Sequence, residues 1–219
     1  MVTRGGLPPT LRAMTQAQHV GFIGLGNMGA HMARNLAEAG ISLSVFDAAG
    51  TKARAPKGAH IATSVSHVAS TADPIILSLP DGQVVKSVLN EIIDHAGSIA
   101  HTILDTSTIG VKDAVAIHRT AVDAGYEYID APVSGGIAGA EAATIALMFS
   151  GSEAALERLT PTLSPMCGHL LHVGTKPGQG QAMKVLNNFL SGTAMVATSE
   201  AIAFGLTQGL DMGRLSLIH

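Results

Sequence analysis

The 219-residue chain is 47% hydrophobic but only 3% aromatic, so its core must be built from Ala, Leu, Ile and Val, as suits helices packed closely on a parallel sheet. A net charge of −3 with no basic run gives no support to a nucleic-acid partner. A single cysteine, Cys167, excludes an intrachain disulfide and fits a reducing, cytoplasmic setting.

Residues 1–18, MVTRGGLPPTLRAMTQAQ, carry arginine and threonine but no acid, a faint likeness to a transit peptide. Pro8 and Pro9 break the amphipathic helix such a peptide needs, and no apolar stretch there could serve as a secretory signal. A disordered tail, or translation starting at Met14, is expected.

From His19 the chain reads HVGFIGLGNMGAHMARNLAEAG and then ISLSVFDAAG. An apolar strand, Val20 to Ile23, runs into Gly24, Gly26 and Gly29 in G-x-G-x-x-G spacing. A helical stripe of Met28, Met32 and Leu36 follows, with Gly40 as its terminator, and then a strand from Ile41 to Phe46 that ends at Asp47. Each glycine has a physical task. Gly24 permits a tight turn, Gly26 lets backbone approach a pyrophosphate, and Gly29 lets the helix pack on the strand. The turn from Gly24 through Leu25, Gly26, Asn27 and Met28 to Gly29 therefore forms the expected phosphate cradle at a helix N-terminus. Asp47, 18 residues past Gly29, is placed to accept hydrogen bonds from an adenosine ribose. Its charge would repel a 2′-phosphate and Ala48 offers no arginine, so NAD is favoured over NADP, although Lys52 and Arg54 lie near in sequence.

The alternation continues with strands at Pro74 to Leu79, Thr102 to Leu104 and Tyr126 to Ile129, ending in SLPDG, DTSTIG and DAPVSGG. Helical stretches near 83–93, 111–123 and 152–160 complete a doubly wound α/β pattern. Thr106, Ser107 and Thr108 can cap the next helix, touch a ligand, or divide the two tasks. Ser134, Gly135 and Gly136 offer a hydroxyl and bare backbone that suit a carboxylate, but equally a plain glycine turn. Among ten histidines the closest pair, His169 and His172, has odd spacing on a strand and is not read as a metal site.

Last comes GQGQAMKVLNNFL, where Lys184, Asn187 and Asn188 share one helix face while Met183, Leu186 and Leu190 line another and can pack inward. The segment 182–206 is apolar enough to raise a membrane span. Asn187, Asn188, Ser191, Thr193, Thr198, Ser199 and Glu200 within it argue for a buried helix instead. A lysine beside an inter-domain cleft can supply or remove an alcohol proton.

GFIGLGNMG, Leu79–Pro80, DTSTIG, DAPVSGG and GQGQAMKVLNN, in this order, resemble the β-hydroxyacid dehydrogenase family, most of all its 3-hydroxyisobutyrate dehydrogenase branch, over about residues 19–215. The resemblance implies a Rossmann-type domain over 19–177 and an all-helical domain beginning at 178–219, of which most of the family's helices are missing, so a truncated chain is expected. It implies Lys184 as general acid/base, Asn188 as the residue that positions the substrate hydroxyl, with Asn187 adjacent, and Ser134, Gly135 and Gly136 as holders of the carboxylate. Leu79, Pro80 and Thr108 would join the glycine turn and Asp47 around NAD. The implied partner is a small hydroxy acid or semialdehyde, and a full-length chain would be a homo-oligomer. Where this chain has Ala143, related enzymes usually have glycine. Two other readings stay open: an NADPH-dependent semialdehyde reductase of the same family, and a remnant that binds NAD without catalysis. A metal hydrolase lacks a ligand cluster, and a serine hydrolase lacks its G-x-S-x-G elbow.

Overall fold

The apolar residues that follow His19 divide between the two faces of buried strands, and helices cover both faces. The computed structural model describes residues 19–215; the tail expected over 1–18 lies outside the described residues. β1 (His19–Ile23) sends Val20 and Phe22 into one core layer and Ile23 into the other. β2 (Ser42–Phe46) and the short β3 (His60–Ile61) lie on one side of it, in parallel register. On the other side come β4 (Ile75–Leu77), β5 (Thr102–Asp105) and β6 (Glu127–Asp130), also parallel. The order β3-β2-β1-β4-β5-β6 is that of a doubly wound dinucleotide-binding sheet, with its switch point between β1 and β4.

α1 (Gly29–Glu38) seats Met32 and Leu36 on the layer that holds Val20 and Phe22. α2 (Val65–Ala69), α3 (Gly82–Asp94) and α4 (Val111–Asp123) cover the opposite face through Val68, Leu89 and Ile117. The stripes at helical spacing made α1, α3 and α4 readable. The five-residue α2 and two-residue β3 are too short to show a period and were not anticipated.

Beyond β6 the sheet changes character. β7 (Val133–Ser134) and β6 both meet β8 (Ala146–Ser150) antiparallel, and β9 (His169–Gly174) runs parallel to β8 at the far side. Between them lie α5 (Gly136–Glu141), which begins within DAPVSGG, and α6 (Glu153–Leu163), capped by the Ser152 hydroxyl.

α7 (Gln179–Thr207) then leaves the sheet, and α8 (Met212–Leu215) begins after a turn. The expectation that Met183, Leu186 and Leu190 pack inward is corrected: they are 40%, 53% and 59% exposed. An apolar stripe becomes a buried face only where another element stands opposite it. α7 touches β6, β8, β9 and α4, and α8 meets its far end, where Met212 lies against Gly205.

Candidate active site

The carboxyl ends of β1, β2 and β4 open onto a crevice of about 520 Å³, lined among others by Gly24, Gly26, Asn27, Met28, Gly29, Asp47, Leu79 and Pro80. Local geometry explains the glycines. Gly24 has φ +97°, and a Cβ there would overlap the carbonyl oxygen of Ser78. A Cβ on Gly29 would overlap the carbonyl oxygen of Gly24, so the close fit of α1 against the turn depends on its absence. Gly26 is exposed, with open space where its Cβ would point. The turn thus presents bare backbone at the start of a helix, which fits a pyrophosphate.

Leu25 lies outside the lining, with its side chain buried in the core. Its backbone N–H donates to Asp47 Oδ2 at 2.6 Å, and Ala49 N–H donates to Oδ1 at 2.8 Å. These bonds fix the carboxylate at the crevice wall and leave lone pairs for a ribose. Arg54 Nη1 stands 3.6 Å from Asp47 Oδ2, and Arg54 lines the crevice too. Its role was visible in the sequence only as nearness to Asp47.

The segment after β5 behaves differently from a cap. The N-cap of α4 is Gly110, with no side-chain cap, which corrects the capping reading of Thr106, Ser107 and Thr108. Thr106 Oγ1 donates to the Leu77 carbonyl at 2.7 Å, and Ser107 Oγ accepts from Leu79 N–H at 2.8 Å. Thr108 alone of the three is exposed, and it lies outside the crevice lining.

At the other residues of interest, Asn187 Nδ2 donates to Ser134 Oγ at 3.1 Å, joining the lysine helix to DAPVSGG. Having accepted that bond, the Ser134 hydroxyl keeps its proton to donate. Gly135 (φ +133°) and Gly136 (φ +65°) follow it, both exposed. Lys184 is half-buried, and desolvation lowers its pKa below the ordinary lysine value. Asn188 is exposed on the same helix. His169 and His172 are exposed on β9, where His172 Nε2 lies 2.8 Å from the Gly151 carbonyl. Sequence reasoning passed over Gln181 and Asp130, whose partners lie 48 to 74 residues away.

A six-strand parallel core with a glycine turn and a terminal acid at its switch point defines a Rossmann-type dinucleotide-binding protein. Residues 19–174 match the family model of the NAD binding domain of 6-phosphogluconate dehydrogenase. Residues 178–218 match that of the NAD-binding domain of NADP-dependent 3-hydroxyisobutyrate dehydrogenase. The chain belongs to this β-hydroxyacid dehydrogenase family. It is 41% identical to a protein of Mycobacterium bovis named "Probable 3-hydroxyisobutyrate dehydrogenase", over 88% of this chain and 65% of that one. It is 39% identical to the NAD-dependent L-serine dehydrogenase of Pseudomonas aeruginosa, over 89% of this chain and 66% of that one. A solved structure of Mycobacterium tuberculosis 3-hydroxyisobutyrate dehydrogenase with L-serine superposes with a TM-score of 0.83 at 38% identity, covering 90% of this chain and 67% of that chain. The chain spans about 65% of the length of the first curated relatives it matches.

Proposed function

We propose that this chain carries the cofactor site and the acid/base lysine of a dehydrogenase that acts on a short β-hydroxy acid with NAD. The observation that carries the reading is the placement of Lys184. It is half-buried, held below its usual pKa, and lies on the helix that reaches Ser134 through Asn187. When bound, the nicotinamide ring accepts or gives a hydride. Gly24, Gly26, Asn27, Met28 and Gly29 would hold its pyrophosphate by backbone, Asp47, held by the Leu25 N–H, its ribose, and Leu79, Pro80 and Thr108 its remaining length. Ser134, Gly135 and Gly136 would bind the substrate carboxylate, with the Ser134 O–H free to donate. Asn188 would orient the hydroxyl. Lys184 takes the hydroxyl proton as the carbonyl forms and returns it in reverse. A lysine of ordinary pKa, near ~10.4, would be a poor base at neutral pH, so its desolvation supports the role.

We propose the domain boundary after Pro177, a reading supported by Gly178 (φ +84°), which turns the chain into α7. By length and composition α7 could cross a membrane. We read it instead as the first helix of the helical domain, because the second family model matches 178–218.

The NADPH-dependent semialdehyde reductase remains the second reading, and Arg54 is the observation that favours it, since it offsets part of the Asp47 charge. One experiment separates these: purified chain offered β-hydroxy acids with NAD or NADP, beside Lys184→Ala. The expected outcome is NADH formation that falls in the variant by about 10²- to 10⁴-fold, with cofactor affinity intact. Near-normal turnover by Lys184→Ala would remove the assignment, and faster turnover with NADP would select the second reading.

A further inference from the structure

The long helix α7 is held to the sheet through its first turn and, further along, through the Asn187–Ser134 hydrogen bond. Of its 29 residues, Gly180 and Gln181 at one end and Gly205 at the other are the buried ones. Two devices grip that first turn. Asp130, at the end of β6, accepts the N–H groups of Gly178 at 3.1 Å and Gln181 at 3.0 Å, in place of the side-chain cap that α7 lacks. Gly180 allows this approach, because a Cβ there would lie 2.7 Å from the Asp130 carbonyl oxygen and 2.8 Å from that of Met148.

The second device is the Gln181 side chain, which is fully buried. Its Oε1 accepts Ile109 N–H at 3.0 Å, and its Nε2 donates to the Ser107 carbonyl at 2.9 Å. With both ends of the amide engaged by one backbone segment, its orientation is fixed. Ser107 Oγ in turn accepts Leu79 N–H. Hydrogen bonds therefore run from Leu79 to Ser107 to Gln181, and Lys184 stands one turn further along the same helix. Thr108 lies between the two residues that Gln181 clasps.

We propose that Gln181 is a positioning residue that sets the register between the cofactor-contacting segments after β4 and β5 and the helix face that carries Lys184. This rests on the reading of Lys184 as acid/base. A residue that merely filled the core could be replaced by an apolar side chain of the same length. Here such a replacement leaves Ile109 N–H and the Ser107 carbonyl buried without partners, and the first turn of α7 loses its tie to the cofactor side.

The test uses the intact chain and needs no turnover. Lysines are acylated competitively across a pH series, and the extent at each residue is read by mass spectrometry. The proteins are wild type, Gln181→Met and Gln181→Glu, with Lys86 and Lys112 as exposed references. NADH affinity is measured alongside. Freed from its burial, Lys184 in Gln181→Met should show a labelling midpoint raised by about half a pH unit or more. Gln181→Glu keeps the acceptor for Ile109 N–H but sets a carboxylate against the Ser107 carbonyl and one turn from Lys184, so its Lys184 midpoint should rise at least as far. It also decides the matter if Gln181→Met proves unfolded by circular dichroism. Where turnover is found, kcat should fall about tenfold or more while KM for NAD holds within about twofold. An unmoved Lys184 midpoint in a folded variant overturns the proposal. Failure of the wild type to bind NADH would instead sink the dehydrogenase reading, and the lysine comparison would still stand.

Discussion

At the residue scale, Ala143 shows how a single methyl group can sit against the backbone's preference. It follows the C-cap of α5 with φ +55°, the one described non-glycine residue in the left-handed region. That is the position where helices commonly end on glycine, and an L-residue there costs about 1–2 kcal/mol. Glycine would remove the strain but adds freedom to the unfolded chain, worth roughly 0.5–1 kcal/mol in the other direction. Ala143→Gly is therefore expected to raise the urea midpoint by a modest amount without altering NADH affinity. A lower midpoint would mean that the methyl contributes packing that outweighs the strain. The sequence flagged this residue only by comparison with relatives; its φ was not legible, because nothing local in EAATIALM marks where the helix stops.

Elements were legible where their signal is local, and this sets a limit that Asp105 and Asp130 illustrate. The β1–glycine turn–α1–β2–Asp47 unit could be read directly, since strand alternation, glycine spacing and the apolar stripe all fall within 29 consecutive residues. The same holds for the strand ends at SLPDG and DAPVSGG. What could not be read was how the strand ends are tied together. Asp105 closes β5 fully buried, accepting Tyr128 O–H at 2.6 Å and Ser107 N–H at 2.9 Å, while Asp130 closes the neighbouring β6. Carboxylates in such places look like helix caps or ligands in a sequence, because the partner that satisfies each one comes from another element.

This pairing of β5 and β6 has a pH signature. Burial raises the Asp105 pKa from 3.8 to about 6, its hydrogen bonds with Ser107 and Tyr128 offset part of that, and the charge of Asp130 adds to it. Burial raises the Asp130 pKa as well. The folded chain thus holds its proton at Asp105 more tightly than the unfolded chain between about pH 4 and 6. The associated stability is fully present below the unfolded pKa and is lost as pH rises through about 6. Asp105→Asn keeps an acceptor for Ser107 N–H and cannot ionise. Urea titrations across this window should show wild type losing stability relative to Asp105→Asn as pH rises, with the gap flat above about 7. Parallel profiles for the two proteins would show that Asp105 does not titrate in that range.

At the scale of the whole molecule, a well-packed sheet carries a helix that it does not cover. The 29 residues of α7 extend roughly 44 Å at the usual helical rise, far more than its gripped first turn. Phe189, Met195 and Phe204 are 67%, 68% and 66% exposed, and Leu190 and Leu206 are 59% exposed. Apolar surface of this extent favours burial, and the surface within reach of every molecule in a pure solution is the same helix on a second copy. The chain is therefore expected to self-associate. Sedimentation over a range of concentrations should give a mass above 22.3 kDa that grows with concentration. Replacing Phe189 and Phe204 together by glutamate should bring it back towards the single-chain value. NADH affinity should be equal in both proteins, because neither phenylalanine lines the crevice at β1, β2 and β4. A wild-type chain that stays monomeric at every concentration would refute the expectation. Loss of NADH binding in the double variant would show that the far part of α7 contributes to the cofactor site, a coupling that the grip on its first turn alone does not provide.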